Sequence, residues 1–357
     1  MKPRSQRIGT AEETVLVIET VCRAGCCSPA NKGGEDTMFR RTFMALALAA
    51  VSPLGVQAQD YPGEDIHIIC TFPAGSGADI LVRFMAEKIK AQAGGATVLV
   101  ENKPGAAGSI GTRYVARAPA DGYTILMDAG TTIGSIPSRF KQPPVDVAKD
   151  LQMVATINRQ AFMIVVDAKS DIKTLDQLTA KLKAEGGNAS YAAAANSGMV
   201  LGELYKQAAK LETVQVKYES APASLNDLLS GRLAFGTLDP VFSLAQQREG
   251  RLRVLAVASS ERISSIPDIP TLKELGLPID VTTWFSAAVP AGTPKPVVDK
   301  INGWFNAALA QKDTVKFLND SGGDPWVNTP EATQQMLIKA IADWREFIRI
   351  ANIPPAG

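Results

Sequence analysis

Residues Ile66–Asp79 read IHIICTFPAGSGAD, and the order of residue types in this stretch decides how the rest of the chain is read. Isoleucine recurs at 66, 68 and 69, and only His67 interrupts the apolar run, so residues 66–72 are predicted as a buried strand. Pro73, Gly75 and Gly77 then break the run, after which Ile80, Leu81, Phe84, Met85 and Ile89 fall at helical spacing over 78–93. A buried strand passing through a glycine-rich turn into a helix is the first half of a βα unit. Glycines admit close backbone approach, and a helix start offers unpaired N–H groups and a positive dipole end. The turn therefore suits an anion, and equally suits a tight connection capped by Ser76 or Asp79.

Working outward, the alternation continues. Strands are predicted at 97–101 and 124–127, with a helix at 110–118 between them. A proline-rich loop (Pro137, Pro143, Pro144) leads to extended stretches at 153–157 and 162–166. The pattern then restarts. Helices at 175–184, 198–210, 222–230 and 241–248 alternate with strands at 189–193, 214–218, 233–237 and 252–258. A later strand at 281–289 carries Trp284 and Phe285, and three helices close the chain. This implies the α/β class, with parallel sheets covered by helices. Two such runs with a late returning strand predict two domains, residues 59–158 plus 280–357 and residues 159–279. Ligands bind such sheets beyond the carboxyl ends of the strands, which brings the loops after 72, 128, 193, 218 and 238 to one shared cleft.

Composition narrows the function. The 357 residues carry 37 basic and 36 acidic side chains, a net charge of +1, and aromatics are 6%. That gives neither the field nor the stacking surface of a nucleic-acid binder. At the N-terminus, MFRRTFMALALAAVSPLGVQAQ from Met38 has the charged, apolar and small-residue regions of a secretory signal. Cleavage is expected after Ala58, with 38–58 as signal peptide, and Arg40-Arg41 also fits a twin-arginine signal. Residues 1–37 read as an extension ahead of the true start, carrying Cys22, Cys26 and Cys27. The exported chain keeps a single cysteine, Cys70, expected to be buried without a disulfide. Its compartment is expected to be the periplasm.

Several chemistries fall away. Ser76 between strand and helix resembles a nucleophile elbow, but His67 lies about 16 Å back along the same strand at ~3.3 Å per residue, too far to activate it. Ile80 stands where a dinucleotide fingerprint needs its third glycine. One histidine and one cysteine supply no zinc set. The chain is thus read as no enzyme, with no cofactor and no metal. What remains is a group of polar turns: Glu101–Gly111 (ENKPGAAGSIG), Asp128–Thr132 (DAGTT), Ala195–Gly198 (ANSG) and Leu238–Pro240 (LDP). Each fits a helix cap or a turn, and their convergence on one cleft is what favours a binding site.

Together the segments Tyr61–Asp79, Val100–Gly111 (VENKPGAAGSIG), Ala116–Leu126 (ARAPADGYTIL), Leu201–Tyr205 (LGELY), Arg251–Gly276 and Trp284–Asn302 (WFSAAVPAGTPKPVVDKIN) resemble the Bug family of extracytoplasmic solute receptors. That family is the binding component of tripartite tricarboxylate transporters. The resemblance covers the mature chain and implies a type II periplasmic-binding-protein fold, two α/β domains closing on a small carboxylate. It assigns one carboxylate to the loops holding Phe72, Ala74, Gly75, Ser76, Gly77, Ala78 and Asp79, and Gly130, Thr131 and Thr132. It assigns the other wall to Asn196, Ser197, Ser220, Ala221 and Asp239. The resemblance implies transporter subunits as partners; the rival reading is a sensory module with a membrane sensor kinase as partner, and the receptor is expected to be a monomer. The sequence departs from the family where Ser76 replaces a glycine, Ala78 a threonine, and Met199 a histidine.

Overall fold

The strand predicted first is β1 (Ile66–Cys70), buried on both faces. The computed structural model describes residues 61–351 and 353–356, so the expected extension, the signal peptide and Cys22, Cys26 and Cys27 lie outside the described residues. β1 runs parallel to β2 (Val98–Asn102) and β3 (Thr124–Ala129), with Ile68 opposite Val100 and Ile125. Burial on both faces explains the nearly unbroken apolar run. On one face, Ile66, Ile68 and Cys70 meet α1 (Gly77–Gln92), whose Leu81, Val82, Met85 and Ile89 are fully buried. Each such side chain contributes roughly 1.5–3 kcal/mol through burial. Ile69 faces the opposite layer, shared with Val115 of α2 (Ser109–Ala116).

The chain then forms α3 (Gly130–Arg139), α4 (Val147–Asp150), β4 (Leu151–Ala161) and β5 (Met163–Asp167). Next come α5 (Leu175–Glu185), β6 (Ser190–Ala194), α6 (Ala195–Ala209), β7 (Val214–Tyr218) and α7 (Leu225–Leu229). β8 (Phe235–Leu238), α8 (Pro240–Arg248), β9 (Leu252–Val257) and β10 (Thr282–Pro290) follow. The closing elements are α9 (Lys295–Leu309), α10 (Lys312–Asp320), β11 (Gly323–Pro325) and α11 (Pro330–Ile350).

Two sheets result, ordered β11-β4-β10-β3-β1-β2 and β7-β6-β8-β5-β9. They are mixed, which corrects the expectation of parallel sheets. β10 is antiparallel to β3 and β4, and β5 is antiparallel to β8 and β9. Connectivity is the cause. Each of these strands arrives from the other sheet and so enters at the edge where its neighbours end, Met163 opposite Leu238 and Thr282 opposite Ala161. Only Phe162 separates β4 from β5.

The segment read as a proline-rich loop is in part α3, with Pro137 inside it. Proline removes one helical N–H, and this helix stops two residues later. α3 is held by α11, where Ala340 lies so close to Gly134 that a Cβ there would fall 2.9 Å from its own. His67 is a surface residue of β1, its Nδ1 2.7 Å from Glu101 Oε1. No helix among the described residues is long and apolar enough to cross a membrane.

Candidate functional site

Four helices begin at the carboxyl edges of the sheets and aim their N-termini at one cavity: α1 and α3 from the first sheet, α6 and α8 from the second. The cavity leaves about 70 Å³ for the centres of water molecules. At ~15 Å³ each, that is room for about five waters or one small metabolite. Phe72, Phe162 and Phe285 form much of its apolar wall.

The four helix starts are not equivalent. α1 is capped by Ser76, whose Oγ accepts from the Asp79 N–H at 3.3 Å. α8 is capped by Asp239, whose Oδ1 accepts from the Phe242 N–H at 3.0 Å. α3 and α6 follow Ala129 and Ala194 and carry no side-chain cap. An alanine side chain cannot accept a hydrogen bond, so the first N–H groups of these two helices have no side-chain acceptor at the N-cap. Thr132 on α3 and Ser197 on α6 add hydroxyls to the same wall. Ala195, the first residue of α6, has φ +63°, a strained value for a residue with a Cβ, and it too lines the cavity.

The two sides meet closely. Thr131 Oγ1 lies 3.5 Å from Ser197 Oγ, and Asn196 Nδ2 donates to Ser135 Oγ at 2.9 Å. A Cβ on Gly77 would stand 2.1 Å from Asp239 Oδ1, so only glycine lets α1 approach α8 this way. Gly130 is similarly confined, because a Cβ there would fall 2.1 Å from the indole of Trp284.

Of the residues singled out from sequence, Phe72, Ser76, Gly77, Ala78, Thr132, Ser197, Ser220, Ala221 and Asp239 line this cavity. The others stand elsewhere. Ala74 and Gly75 are exposed on the outer bend of their turn. Asp79 is turned inward and saturated: its Oδ2 accepts from Gly75 N–H at 2.8 Å and Arg83 Nε at 2.9 Å, and its Oδ1 from Asn102 Nδ2 at 2.8 Å. Burial works to raise its pKa, but the hydrogen bonds from Arg83, Asn102 and Gly75 prevail and hold it below the usual range. Asp79 thus fixes the shape of the turn. Gly130 lies under Trp284, Thr131 borders a groove on the far side with Trp284 and Trp344, and Asn196 borders the cavity's outer mouth with Met199 and Lys217.

Sequence reasoning missed Gln160, Phe162, Thr283 and Phe285, which also line the cavity. Gln160 and Thr283 are partners on adjacent β4 and β10, and Thr283 Oγ1 donates to the Gln160 carbonyl at 3.1 Å. The period-2 alternation of β10 carries the signal, since Thr283 and Phe285 face the cavity while Thr282 and Trp284 face the groove behind it.

Electrostatically the cavity is one-sided. Among the described residues lining it, Glu219 and Asp239 carry charge and none is Lys, Arg or His. Burial raises the Asp239 pKa, partly offset by backbone amides including those of Phe242 and Val241. Just behind α3, fully buried Asp128 accepts from Thr71 Oγ1 at 2.5 Å and from the Ala129 N–H at 2.6 Å. Burial still pushes it up to about 7. Cys70 is buried as expected, its thiol pushed up by the same cause to about 12.

Comparison with known proteins places this geometry. The family described as "Tripartite tricarboxylate transporter family receptor" matches residues 81–353. BugT of Bordetella pertussis is 31% identical over 298 residues, 82% of this chain and 91% of that protein. The periplasmic binding protein BugD superposes with a TM-score of 0.75 at 28% identity, over 83% of this chain and 100% of that one. An R. palustris protein solved with adipate gives a TM-score of 0.78 at 26% identity, with the same 83% and 100% coverage. With two α/β domains and a cleft between them, the chain belongs to the tripartite tricarboxylate transporter receptor family, as a periplasmic solute-binding protein of the Bug type and a receptor rather than an enzyme.

Proposed function

We propose that this receptor captures a small carboxylate in the cavity and presents it to a tripartite tricarboxylate-type transporter. The observation that carries the reading is the pair of uncapped helix starts, α3 and α6, meeting at the cavity wall with Thr132 and Ser197 beside them. Main-chain N–H groups at a helix start, backed by its dipole, hold an anion without a cationic side chain. Relatives solved with adipate and with malate make carboxylates the natural class to test.

The lobes that close on the ligand are residues 59–158 plus 280–357 and residues 159–279, in a mature chain cut near Ala58. A ligand touching α3 and α6 together binds the closed arrangement more tightly than the open one, and that difference drives closure. The closed form then offers both lobes to the membrane partner.

The test is thermal unfolding of mature protein, first freed of co-purified ligand, against mono-, di- and tricarboxylates. A ligand at 100 times its dissociation constant adds about 2.7 kcal/mol of stability, readily seen as a shift in Tm. If no carboxylate shifts the transition, the proposal fails.

A further inference from the structure

The groove behind β10 is larger than the cavity in front of it, with about 480 Å³ open to the centres of water molecules. Three of the chain's four tryptophans, Trp284, Trp326 and Trp344, line it. One wall is a stripe of α11, from Met336 through Ala340 and Trp344 to Phe347, about 16 Å long at ~1.5 Å per residue. Trp284 and Trp344 are buried in the floor, whereas Trp326 and Phe347 are only half-buried and keep ring surface open. A concave, aromatic-walled site with few polar groups is the ordinary form of a small-molecule pocket.

Charge narrows the class of occupant. Arg159 and Lys339 border the groove, but each has its own acid: Arg159 Nε lies 3.4 Å from Asp324 Oδ2, and Lys339 pairs with Asp343 one helical turn on. Asp280, also on the border, has no cationic partner among the described residues. Its Oδ1 accepts from the Thr282 N–H at 3.0 Å and from the Thr282 hydroxyl at 2.7 Å, which fixes the carboxylate in place. One uncompensated acid therefore stands beside aromatic rings, and both attract a cation.

Position gives the groove a consequence. The strands that join the two sheets present alternate residues to its two sides: Gln160 and Thr283 to the cavity, Arg159 and Thr282 to the groove. Ser260, which follows β9 of the second sheet, borders the groove together with α11. Opening the cavity about β4 and β10 moves Ser260 toward α11 and narrows the groove.

We propose that the groove is a second ligand site, for a small organic cation with an apolar body, and that its occupancy favours closure of the cavity. The charge lies against Asp280 and the body on Trp326 and Phe347. The groove stands wide in the arrangement that brings Thr131 within 3.5 Å of Ser197 at the cavity. Both ligands thus favour one state, and each tightens the other by the same factor. The coupling rests on the carboxylate reading of the cavity; the groove site does not.

The experiment is isothermal titration of ligand-free mature protein with benzyltrimethylammonium, and with benzyl alcohol and benzenesulfonate as neutral and anionic controls carrying the same ring. The cation is expected to bind at least fivefold more tightly than either control. Asp280→Asn keeps an oxygen for Thr282 and should weaken the cation at least threefold while leaving benzyl alcohol unchanged. Trp326→Leu should weaken the cation at least fivefold; should it fail to fold, the Asp280 variant, on an exposed residue, decides the matter. Equal binding of the three probes, or a cation affinity that the variants do not move, overturns the site. A saturating concentration of the cation should then tighten the best-bound carboxylate at least threefold. Unchanged carboxylate affinity overturns the coupling and leaves the groove site standing. Failure of every carboxylate to bind overturns the coupling together with the carboxylate reading, and the cation titration still decides the site.

Discussion

Asp128 shows how a single buried side chain ties stability to pH. It is fully buried at the end of β3, and burial lifts it from the ordinary 3.8 to about 7. Between these values the folded protein holds a proton that the unfolded chain releases. Its contribution to stability is therefore fully present below about pH 4 and is lost as pH rises through about 7. A shift of that size amounts to about 4 kcal/mol at most, at ~1.36 kcal/mol per pH unit. Asp128→Asn removes the titration and keeps both contacts, because its oxygen can accept from the Ala129 N–H while its amide donates to Thr71 Oγ1. Thermal melts at pH 5, 6.5 and 8 should show wild type losing stability across the series and the variant losing clearly less. Equal slopes would mean that Asp128 does not titrate in this window. Its carboxylate was plain in the sequence, but its burial was not, because that depends on where Thr71 and Ser286 pack around it.

At the scale of elements, the difference between capped and uncapped helices is open to direct test. Ala194 has the extended backbone of an N-cap (φ −117°, ψ 142°) but lacks the side chain for it. Ala194→Ser supplies a hydroxyl to cap α6 and should raise the stability of ligand-free protein by about 1 kcal/mol. It should also weaken ligand binding several-fold, because the N–H groups proposed to hold the ligand are taken. The measurements are Tm without ligand and affinity by titration. Unchanged affinity in a stabilised variant would remove α6 from the site. Most elements could be read from the sequence because their signals are local: the apolar runs of β1 and β6, the helical spacing of α1, the glycine-rich turn at 73–77. α3 was hidden because Pro137 signals a break while the rest of the helix is fixed by its packing on α11. Gln160 and Thr283 were hidden because strands central to a sheet present a site only after long-range pairing has set them side by side.

For the whole molecule, the α/β class followed from the alternation, whereas strand direction did not. The crossing strands β5 and β10 take their sense from which sheet the chain leaves, a property of the path rather than of any residue in them. β10 also joins the two faces of the molecule, with Thr283 and Phe285 on the cavity and Trp284 on the groove behind it. The indole of Trp284 lies against Gly130, the first residue of α3, one of the two helices proposed to hold the ligand. Any movement of α3 on binding changes the surroundings of that ring. Trp304, by contrast, stacks on Tyr61 at 5.4 Å, in a different part of the molecule. The receptor consequently carries its own optical gauge. Intrinsic tryptophan emission should follow occupancy without any dye, and Trp284→Phe should reduce the change while the protein still binds, the remainder coming from Trp326 and Trp344 on the same groove.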